Sequence, residues 1–361
     1  MSPAERLALI REVGEEIVGE EELKELLKEN RRLKAYDGFE PSGQIHIAQG
    51  LLRAITVNKL QAAGIEFTFW VADWFGLMNN KLGGDLEKIN TVGEYFVQVW
   101  KACGMNLEHV TFERASARMD QEYWLRTVRI AMLNSVERIT RCAQIMGRSE
   151  SEKLTAAQIF YPCMQCSDIF ELEVDMAQLG MDQRKVNVLA REVAPKLGLK
   201  KPIAVHHHML MGLGQPPKGK SGADAAVARK MSKSNPDSAI FMTDSDEDVR
   251  RKLKKAWCPE GEVEDNPVLD YCKHILMQRH WLQGQHKSGS QAPMTVARKD
   301  KHALTFDSYE ALAEAYSKKD IHPLDLKAAV AAEVSKLLVP VREHFERNSE
   351  AKALLARVRT F

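Results

Sequence analysis

The sequence predicts an α/β protein with a parallel sheet, followed by a mainly helical region. Residues 33–39 and 67–72 are apolar enough to form buried strands, and apolar side chains recur at helical spacing from His46 to Gly64. Strand, helix and strand in this order are typical of a parallel βαβ unit. Beyond about residue 245, helical patterns are joined by polar loops. We therefore expect an α/β part and a helical part.

The remaining elements follow from the same periodicity. In the first part it predicts a charged helix over 1–30, mainly helical segments over 85–147 and 153–179 with a break at Pro162, and a short strand over 203–210. The last long helix begins at Pro323, which suits a first helical turn, and Pro340 predicts a kink within it. No internal repeat interrupts this order.

The composition predicts a cytoplasmic protein with no membrane segment. Its 361 residues suffice for two domains, and its net charge is only +1. No apolar run reaches the roughly 20 residues that span a bilayer, and Met1–Arg11 lacks the apolar core of a secretory signal. Basic residues cluster at 250–255, which predicts either a phosphate-binding surface or a solvated helix face.

The six cysteines predict buried thiols rather than disulfides or a metal centre. Only Cys163 and Cys166 form a Cys-x-x-Cys pair, and a zinc site usually needs a second pair or suitably spaced histidines. The consecutive His206, His207 and His208 lie on a predicted strand, where neighbours point to alternate faces and do not converge. We therefore expect no metal site.

A strand-to-helix turn carries the first motif with chemical meaning. Residues 36–43 read Tyr-Asp-Gly-Phe-Glu-Pro-Ser-Gly, and residues 46–50 read His-Ile-Ala-Gln-Gly. Amides at a helix N-terminus bind anions, and glycines let a phosphate approach the backbone. An imidazole at His46 can donate a hydrogen bond to a phosphate oxygen, although a packed histidine or helix cap is the plainer alternative for this residue alone.

The second motif is Lys-Met-Ser-Lys-Ser at residues 230–234, directly after a glycine- and proline-rich loop over 212–229. Cations placed at Lys230 and Lys233 can stabilise the charge that builds on departing pyrophosphate. The preceding loop would let them close over a nucleotide and open again. A solvated basic loop is the alternative.

Together the two motifs resemble the HIGH and KMSKS signatures of class I aminoacyl-tRNA synthetases. The second motif matches at every position, whereas the first has Ala48 and Gln49 in place of Gly and His. The resemblance implies a Rossmann-like nucleotide-binding catalytic domain over 1–244 and a helical anticodon-binding domain over 245–361. It also implies ATP as substrate, Mg²⁺ as cofactor, and catalytic roles for His46, Lys230 and Lys233. The ATP-binding residues that it implies are Gly38, His46, Gly50, Asp182, Met231, Ser232 and Lys233.

A third region suggests which amino acid is the substrate. On a helix, Tyr161, Gln165 and Asp168 share one face and offer a hydroxyl, an amide and a carboxylate. A helix-surface carboxylate is the alternative for Asp168 alone. The region resembles the substrate helix of tyrosyl-tRNA synthetases of the eukaryotic and archaeal branch. There, residues matching Tyr36 and Asp168 bind the substrate phenol, and those matching Tyr161 and Gln165 hold its α-amino group. The implied tyrosine-binding residues are Tyr36, Asp73, Tyr161, Gln165, Asp168 and Gln183.

The same resemblance implies that the protein activates L-tyrosine and charges tRNA(Tyr) as a homodimer, with the interface in a helical insertion over 85–147. Residues 322–327 resemble the anticodon-reading helix of the family, in which Asp325 would contact the first anticodon base. A first-turn helix acid is the plainer alternative for this residue. The family's aromatic residue and glycine pair upstream are replaced by a shorter stretch, 298–303, and we expect His302 to stack on the base instead.

Three other functions remain open from the sequence. A tryptophanyl-tRNA synthetase shares the fold and both signatures, but an indole offers a single N–H donor, which Tyr36 and Asp168 do not suit. An inactive relative that only binds RNA would have no need of His46, Lys230 and Lys233. The third alternative is a small-molecule nucleotidyltransferase, which the helical C-terminal region disfavours.

Overall fold

The fold is built on a central six-stranded sheet. The computed structural model describes residues 1–29, 31–147, 153–216, 231, 236–284, 288–299 and 301–361. The strands are β1 (Gly14–Val18), β2 (Leu33–Phe39), β3 (Ile65–Val71), β4 (Val110–Arg114), β5 (Met176–Gly180) and β6 (Ile203–His207). Their order across the sheet is β1-β6-β5-β2-β3-β4, and all neighbours are parallel except β1, which runs antiparallel to β6. The predicted α/β class with a parallel sheet is confirmed.

Helices connect these strands. They are α1 (Pro3–Val13), α2 (Glu20–Leu26), α3 (Arg53–Ala62), α4 (Asp73–Met78), α5 (Leu86–Ala102), α6 (Gln121–Met132), α7 (Val136–Thr140), α8 (Ala156–Glu171) and α9 (Arg184–Val193). A π-helical turn, Ala48–Leu52, leads into α3. Side chains alternate along β2: Ala35 and Phe39 belong to one buried cluster, and Tyr36 belongs to another. Each face of the sheet therefore has its own core.

The C-terminal region is mainly helical, as predicted. Its elements are α10 (Asp246–Lys255), α11 (Pro267–His274), β7 (Met294–Arg298), β8 (Lys301–Phe306), α12 (Tyr309–Ser317), α13 (Pro323–Arg347) and α14 (Ser349–Val358). It packs directly on the sheet region, where the rings of Phe345 and Tyr95 lie 5.5 Å apart and Arg342 Nε donates to the carbonyl of Asp244. The domain boundary after residue 244 stays a prediction.

Several expected elements were wrong in type. The predicted helix over 1–30 contains the strand β1, the predicted helical insertion over 85–147 contains the strand β4, and the end of the predicted helix over 153–179 is the strand β5. The C-terminal region contains the hairpin β7–β8. Conversely, Pro162 does not interrupt α8, which continues through it. The helix α13 likewise continues through Pro340, and the kink there stays a prediction.

Two further expectations agree with the described part of the chain. All six cysteines are buried free thiols. Within the described residues, no helix has both the length and the apolar character that crossing a bilayer would require.

The strand order places a crevice at the centre of the sheet. From β2 the chain moves outward to β3 and β4, and it then crosses to β5 on the other side of β2. Ligands of open α/β sheets bind at such a reversal, outside the carboxyl ends of the strands. The carboxyl ends of β2 and β5 therefore frame the expected site.

Candidate active site

A cavity of about 530 Å³ lies at the carboxyl ends of β2, β5 and β6, with α8 along one wall. Residues from all three chemically interpreted regions of the sequence meet in it. The predicted site residues that line it are Tyr36, Gly38, His46, Tyr161, Gln165, Asp168, Asp182, Gln183 and Met231. A volume of this size suits a small-molecule ligand.

The helix α8 supplies one wall because it is fixed at its start and buried along its length. Thr155 and Gln158 form a capping box that satisfies the first amides of the helix. The predicted shared face is confirmed, since Tyr161, Gln165 and Asp168 all line the cavity. Their spacing of four and three residues brings a hydroxyl, an amide and a carboxylate into one row.

The deep end of the cavity combines an acceptor with a free hydroxyl. Asp168 is 2% exposed, and its Oδ1 accepts a hydrogen bond of 2.8 Å from the hydroxyl of Tyr123. Burial raises the pKa of Asp168 well above its ordinary value, although the Tyr123 hydroxyl and the Trp70 indole favour the ionised carboxylate. Tyr36 is buried beside it, and its hydroxyl has no hydrogen-bond partner among the described residues. This end is therefore ready for a polar group of a ligand.

Glu40 forms a second polar centre. It belongs to the first motif, but it was not among the predicted site residues. Its carboxylate accepts a 2.6 Å hydrogen bond from the hydroxyl of Tyr161 and a 3.0 Å hydrogen bond from Asn79 Nδ2. Lys81 Nζ lies 3.3 Å from the same carboxylate. Glu40 and Lys81 also line the cavity. The hydroxyl of Tyr161 is thus held at the wall by a negatively charged group.

Two glutamines link α8 to the end of β5. Gln165 Nε2 donates to Gln183 Oε1 at 3.0 Å, and Gln183 Nε2 donates to the carbonyl of Ile145 at 3.1 Å. This chain of amides fixes the orientation of both side chains. Asp182 lies next to Gln183 at the cavity wall, so a carboxylate and two amide groups face the same space.

A buried charged cluster forms another part of the cavity lining, and sequence reasoning did not identify it. Arg53 Nε lies 3.3 Å from Asp37 Oδ2, and Arg53 Nη1 lies 3.1 Å from His207 Nδ1. Arg53 and Asp37 are 1% and 4% exposed. Burial raises the pKa of Asp37 to about 7 against the opposing effect of Arg53. Burial and the charge of Arg53 hold the pKa of His207 well below its ordinary value, so a neutral imidazole accepts at Nδ1.

The segment that follows the second motif lies beside the first motif. The segment after the second motif runs antiparallel to the first one: the amide of Ile47 donates to the carbonyl of Ile240, and the amide of Met242 donates to the carbonyl of Ile45, both at 2.9 Å. His46 therefore stands at the cavity wall beside the chain that follows residue 235. Lys230, Ser232 and Lys233 lie outside the described residues.

Two of the described residues that were predicted to bind tyrosine or ATP, Gly50 and Asp73, do not line the cavity. Gly50 packs against Met242, and a β-carbon at this glycine would collide with that side chain. Asp73 is 1% exposed, and its Oδ1 accepts hydrogen bonds from the amides of Trp74 and Ser116 while its Oδ2 accepts one from the Ser116 hydroxyl. The lone pairs of Asp73 are thus used to fix the start of α4 and the chain after β4.

The predicted anticodon-reading residues lie in the C-terminal region, away from the cavity. His302 is exposed on β8, and Asp325 lies in the first turn of α13. Arg298 connects β8 to the loop before α13, because its Nε donates to the carbonyl of His302 and its Nη1 donates to the carbonyl of Asp320.

The basic cluster at residues 250–255 is only partly available to a partner. Lys252 is buried, and its Nζ pairs with Asp244 at 2.6 Å. Arg251 and Lys255 both pair with Asp237, at 2.7 and 3.2 Å. Much of this charge therefore stabilises α10 and its surroundings.

Comparisons with known proteins agree with this site. Residues 28–339 match the family described as tRNA synthetases class I (W and Y). The cytoplasmic tyrosine–tRNA ligase 1 of Arabidopsis thaliana is 47% identical over 363 residues, which cover 99% of this chain and 88% of that protein. The cytoplasmic tyrosine–tRNA ligase 2 of the same plant is 48% identical over 98% of this chain, but this chain spans only 45% of its length.

A solved structure resembles the whole chain. The tyrosyl-tRNA synthetase of Pyrococcus horikoshii, crystallised with L-tyrosine, is 37% identical, and each chain covers 100% of the other with a TM-score of 0.90. Identity of this order along the full length, with both signature motifs in the sequence and a cavity lined by His46 and Met231, assigns the family. The chain belongs to the tyrosyl-tRNA synthetases, within the class I tRNA synthetases that also include the tryptophan enzymes.

Proposed function

We propose that this protein is a tyrosine–tRNA ligase that activates L-tyrosine with ATP and transfers it to the 3′ end of tRNA(Tyr). The observation that carries this proposal is the pairing, at the deep end of the cavity, of the unpartnered Tyr36 hydroxyl with the buried Asp168 carboxylate. A phenol entering between them can donate to Asp168 and accept from Tyr36. The Tyr36 hydroxyl then gains the hydrogen bond it lacks, and Asp168 gains a donor in addition to the Tyr123 hydroxyl.

This arrangement selects tyrosine over phenylalanine. A ligand without the hydroxyl would leave the buried Tyr36 hydroxyl unpaired and would deprive Asp168 of the donor that the phenol provides. Sites built to hydrogen-bond a substrate hydroxyl reject the analogue that lacks it by roughly 10⁴- to 10⁵-fold, without an editing step. An indole fits less well, since its single N–H cannot accept from the Tyr36 hydroxyl.

The other end of the amino acid is held by the row along α8. We assign the α-ammonium to Tyr161, Gln165 and Gln183, and the carboxylate of Glu40 adds negative charge beside it. Asp73, which the family resemblance also implicates, would act indirectly because its oxygens hold Ser116. The amino acid thus spans the space between β2 and α8 with its carboxylate towards the nucleotide.

ATP would occupy the part of the cavity near Gly38, His46, Asp182 and Met231. The ionised carboxylate of tyrosine attacks the α-phosphate, so no general base is required. Catalysis then consists of positioning and charge stabilisation. His46 donates to the phosphates, Lys230 and Lys233 neutralise the departing pyrophosphate, and Asp182 binds the ribose.

The cavity also suits Mg²⁺, because Glu40 and Asp182 provide carboxylate oxygens on its wall. Such ions usually bind through one or two carboxylates together with substrate phosphates. When bound, the ion would neutralise part of the triphosphate charge. The chain's own residues hold and orient the two substrates.

We also propose that the protein is a homodimer. The helices α6 and α7 expose apolar side chains that no described element covers, including Met132 at 81% and Val136 at 64%. The full set is Trp124, Leu125, Val128, Met132, Leu133 and Val136. Contiguous exposed apolar surface marks an interaction site. This apolar stripe lies within the region 85–147 that the family resemblance implies for the interface.

The tRNA would contact the C-terminal region. Asp325 at the start of α13 and His302 on β8 are the candidates for reading the anticodon, and Arg298 connects β8 to the loop before α13. The protein would work in the cytoplasm. The names of the Arabidopsis thaliana relatives, which describe them as cytoplasmic, support this location.

Aminoacylation tests the proposal as a whole. Purified protein is incubated with ATP, radiolabelled tyrosine and transcripts of tRNA(Tyr) or tRNA(Trp) from the source organism. The proposal predicts tyrosine attached to tRNA(Tyr) alone. Charging of tRNA(Trp) with tryptophan, or binding of tRNA without any charging, would contradict it.

A further inference from the structure

Two histidines and a carboxylate converge at the edge of the cavity, where β1, the end of β6 and α11 meet, and one of the three, His208, also lines the cavity. His208 Nε2 lies 2.8 Å from Asp270 Oδ1, and His274 Nε2 lies 3.6 Å from the same oxygen. One ligand atom from each residue lies within 4.8 Å of the others. Asp270 and His274 are four residues apart on α11, so they share one helix face. The proposed reaction uses none of the three.

The spacing of these atoms suits a tetrahedral ion. Zinc binds histidine nitrogen and carboxylate oxygen at about 2.0–2.2 Å, which places neighbouring tetrahedral ligands about 3.3 Å apart. The two distances to Asp270, 2.8 and 3.6 Å, lie on either side of this value. The rings of His208 and His274 are stacked, with centroids 3.9 Å apart and planes 12° apart. The two rings must rotate apart at their Nε2 ends for both lone pairs to reach one ion.

The residues around this cluster orient its ligands. His208 Nδ1 hydrogen-bonds to Glu15 on β1, so the other ring nitrogen faces Asp270. Asp270 Oδ2 accepts a 2.9 Å hydrogen bond from the amide of Met211. Metal-binding histidines almost always hydrogen-bond a carboxylate or carbonyl through their second nitrogen, and metal-binding carboxylates are hydrogen-bonded in turn. Glu15 and Met211 provide both of these supports.

We propose that His208, Asp270 and His274 form a zinc site that ties the end of β6 to α11. A set of two imidazoles and one carboxylate binds zinc in preference to Mg²⁺ or Ca²⁺. The ion has a structural role: it fixes His208, which lines the substrate cavity together with Met209 and Leu210. The proposed function assigns none of the three ligands to a substrate.

One of the three consecutive histidines in the sequence, His208, is a proposed zinc ligand. Its members do point in different directions, as expected: His206 contacts Asn187, His207 contacts Arg53, and His208 contacts Asp270. The other two proposed zinc ligands, Asp270 and His274, lie on α11. Asp270 comes 62 residues after His208 in the chain. The expectation of no metal site considered the triplet together with Cys163 and Cys166 and did not include ligands from α11.

Zinc binding is measured on the full chain, stripped with chelator and titrated with ZnCl₂ by isothermal calorimetry, with Co²⁺ absorption as a check of tetrahedral geometry. The test variant is His274→Ala, which leaves the His208–Asp270 pair intact. A supporting variant is Glu15→Gln, and the matched control is His109→Ala, which removes a histidine on the far side of the sheet region. Circular dichroism confirms that each variant is folded.

The proposal predicts stoichiometric zinc binding by the wild type and by His109→Ala, with a zinc-dependent rise in Tm. His274→Ala should lose this binding, and Glu15→Gln should weaken it by roughly 10- to 100-fold because the orientation of His208 is lost. Absence of zinc binding in the wild type, or undiminished binding by His274→Ala, would overturn the proposal. Neither result bears on tyrosine activation, which is assayed separately.

Discussion

Removing the Asp168 carboxylate should change the choice of amino acid more than it changes the fold. In Asp168→Ala, the phenol of bound tyrosine loses a buried charged acceptor. Hydrogen bonds to charged groups contribute about 1.5–3 kcal/mol, which corresponds to roughly 10- to 150-fold in kcat/KM for tyrosine. Phenylalanine makes no such bond, so its kcat/KM should change far less. Tyr123 keeps a partner in the variant, because its single hydroxyl proton can then be donated to the carbonyl of Met164, which lies 3.0 Å from the hydroxyl oxygen.

The assay is ATP–pyrophosphate exchange with tyrosine and with phenylalanine, and the readout is the ratio of their kcat/KM values. A general loss of folded protein lowers both values and leaves this ratio unchanged. Glu171→Ala is the matched control, since Glu171 lies on the same helix but pairs with Arg126 at 3.0 Å and does not line the cavity. An Asp168→Ala protein with the wild-type ratio would refute the assignment of Asp168 to the phenol.

Three other predictions follow from the structure. Arg53→Leu leaves the buried Asp37 carboxylate unpaired and should cost about 3–5 kcal/mol in urea unfolding, and Asp37→Asn in the same chain should restore part of this loss. Although burial opposes ionisation of Asp175, hydrogen bonds from two basic side chains lower its pKa to about 2, below the unfolded value of about 3.9. Its stabilisation is therefore present at neutral pH and lost as the pH falls from about 4 to 2. Asp175→Asn should cost about 1–2 kcal/mol at pH 7, a difference that disappears near pH 2 in thermal unfolding. Met132→Glu places a charge in the apolar stripe and should shift the protein towards a monomer in light scattering, whereas an unchanged mass would exclude this stripe as the interface.

The parts of the fold that could be predicted are those whose pattern is local. The unit of β2, α3 and β3 combines two apolar strands with a helical period between them, and neighbours in sequence suffice to identify it. The face of α8 followed from spacing alone, because residues at intervals of four and three share a side of any helix. Nine of the predicted site residues line one cavity for the same reason: their motifs end strands or begin helices at one edge of the sheet.

The parts that could not be predicted depend on distant partners. The strand β1 carries two consecutive glutamates and reads as part of a charged helix, yet it pairs with the otherwise open edge of β6. The Asp37–Arg53–His207 cluster joins β2, α3 and β6, and no single stretch of sequence contains two of its members. Asp73 follows a strand, as other predicted site residues do. Ser116, which follows β4, donates hydrogen bonds to both of its carboxylate oxygens.

The central claim is that the cavity activates tyrosine and no other amino acid. The most direct measurement is ATP–pyrophosphate exchange by the wild-type chain with each standard amino acid in turn. We predict exchange that depends on tyrosine, with phenylalanine and tryptophan lower by several orders of magnitude. Exchange that depends on tryptophan would be compatible with the fold. It would contradict the assignment of Tyr36 and Asp168 to the phenol of the substrate. Exchange with none of the amino acids would contradict the proposed activity itself.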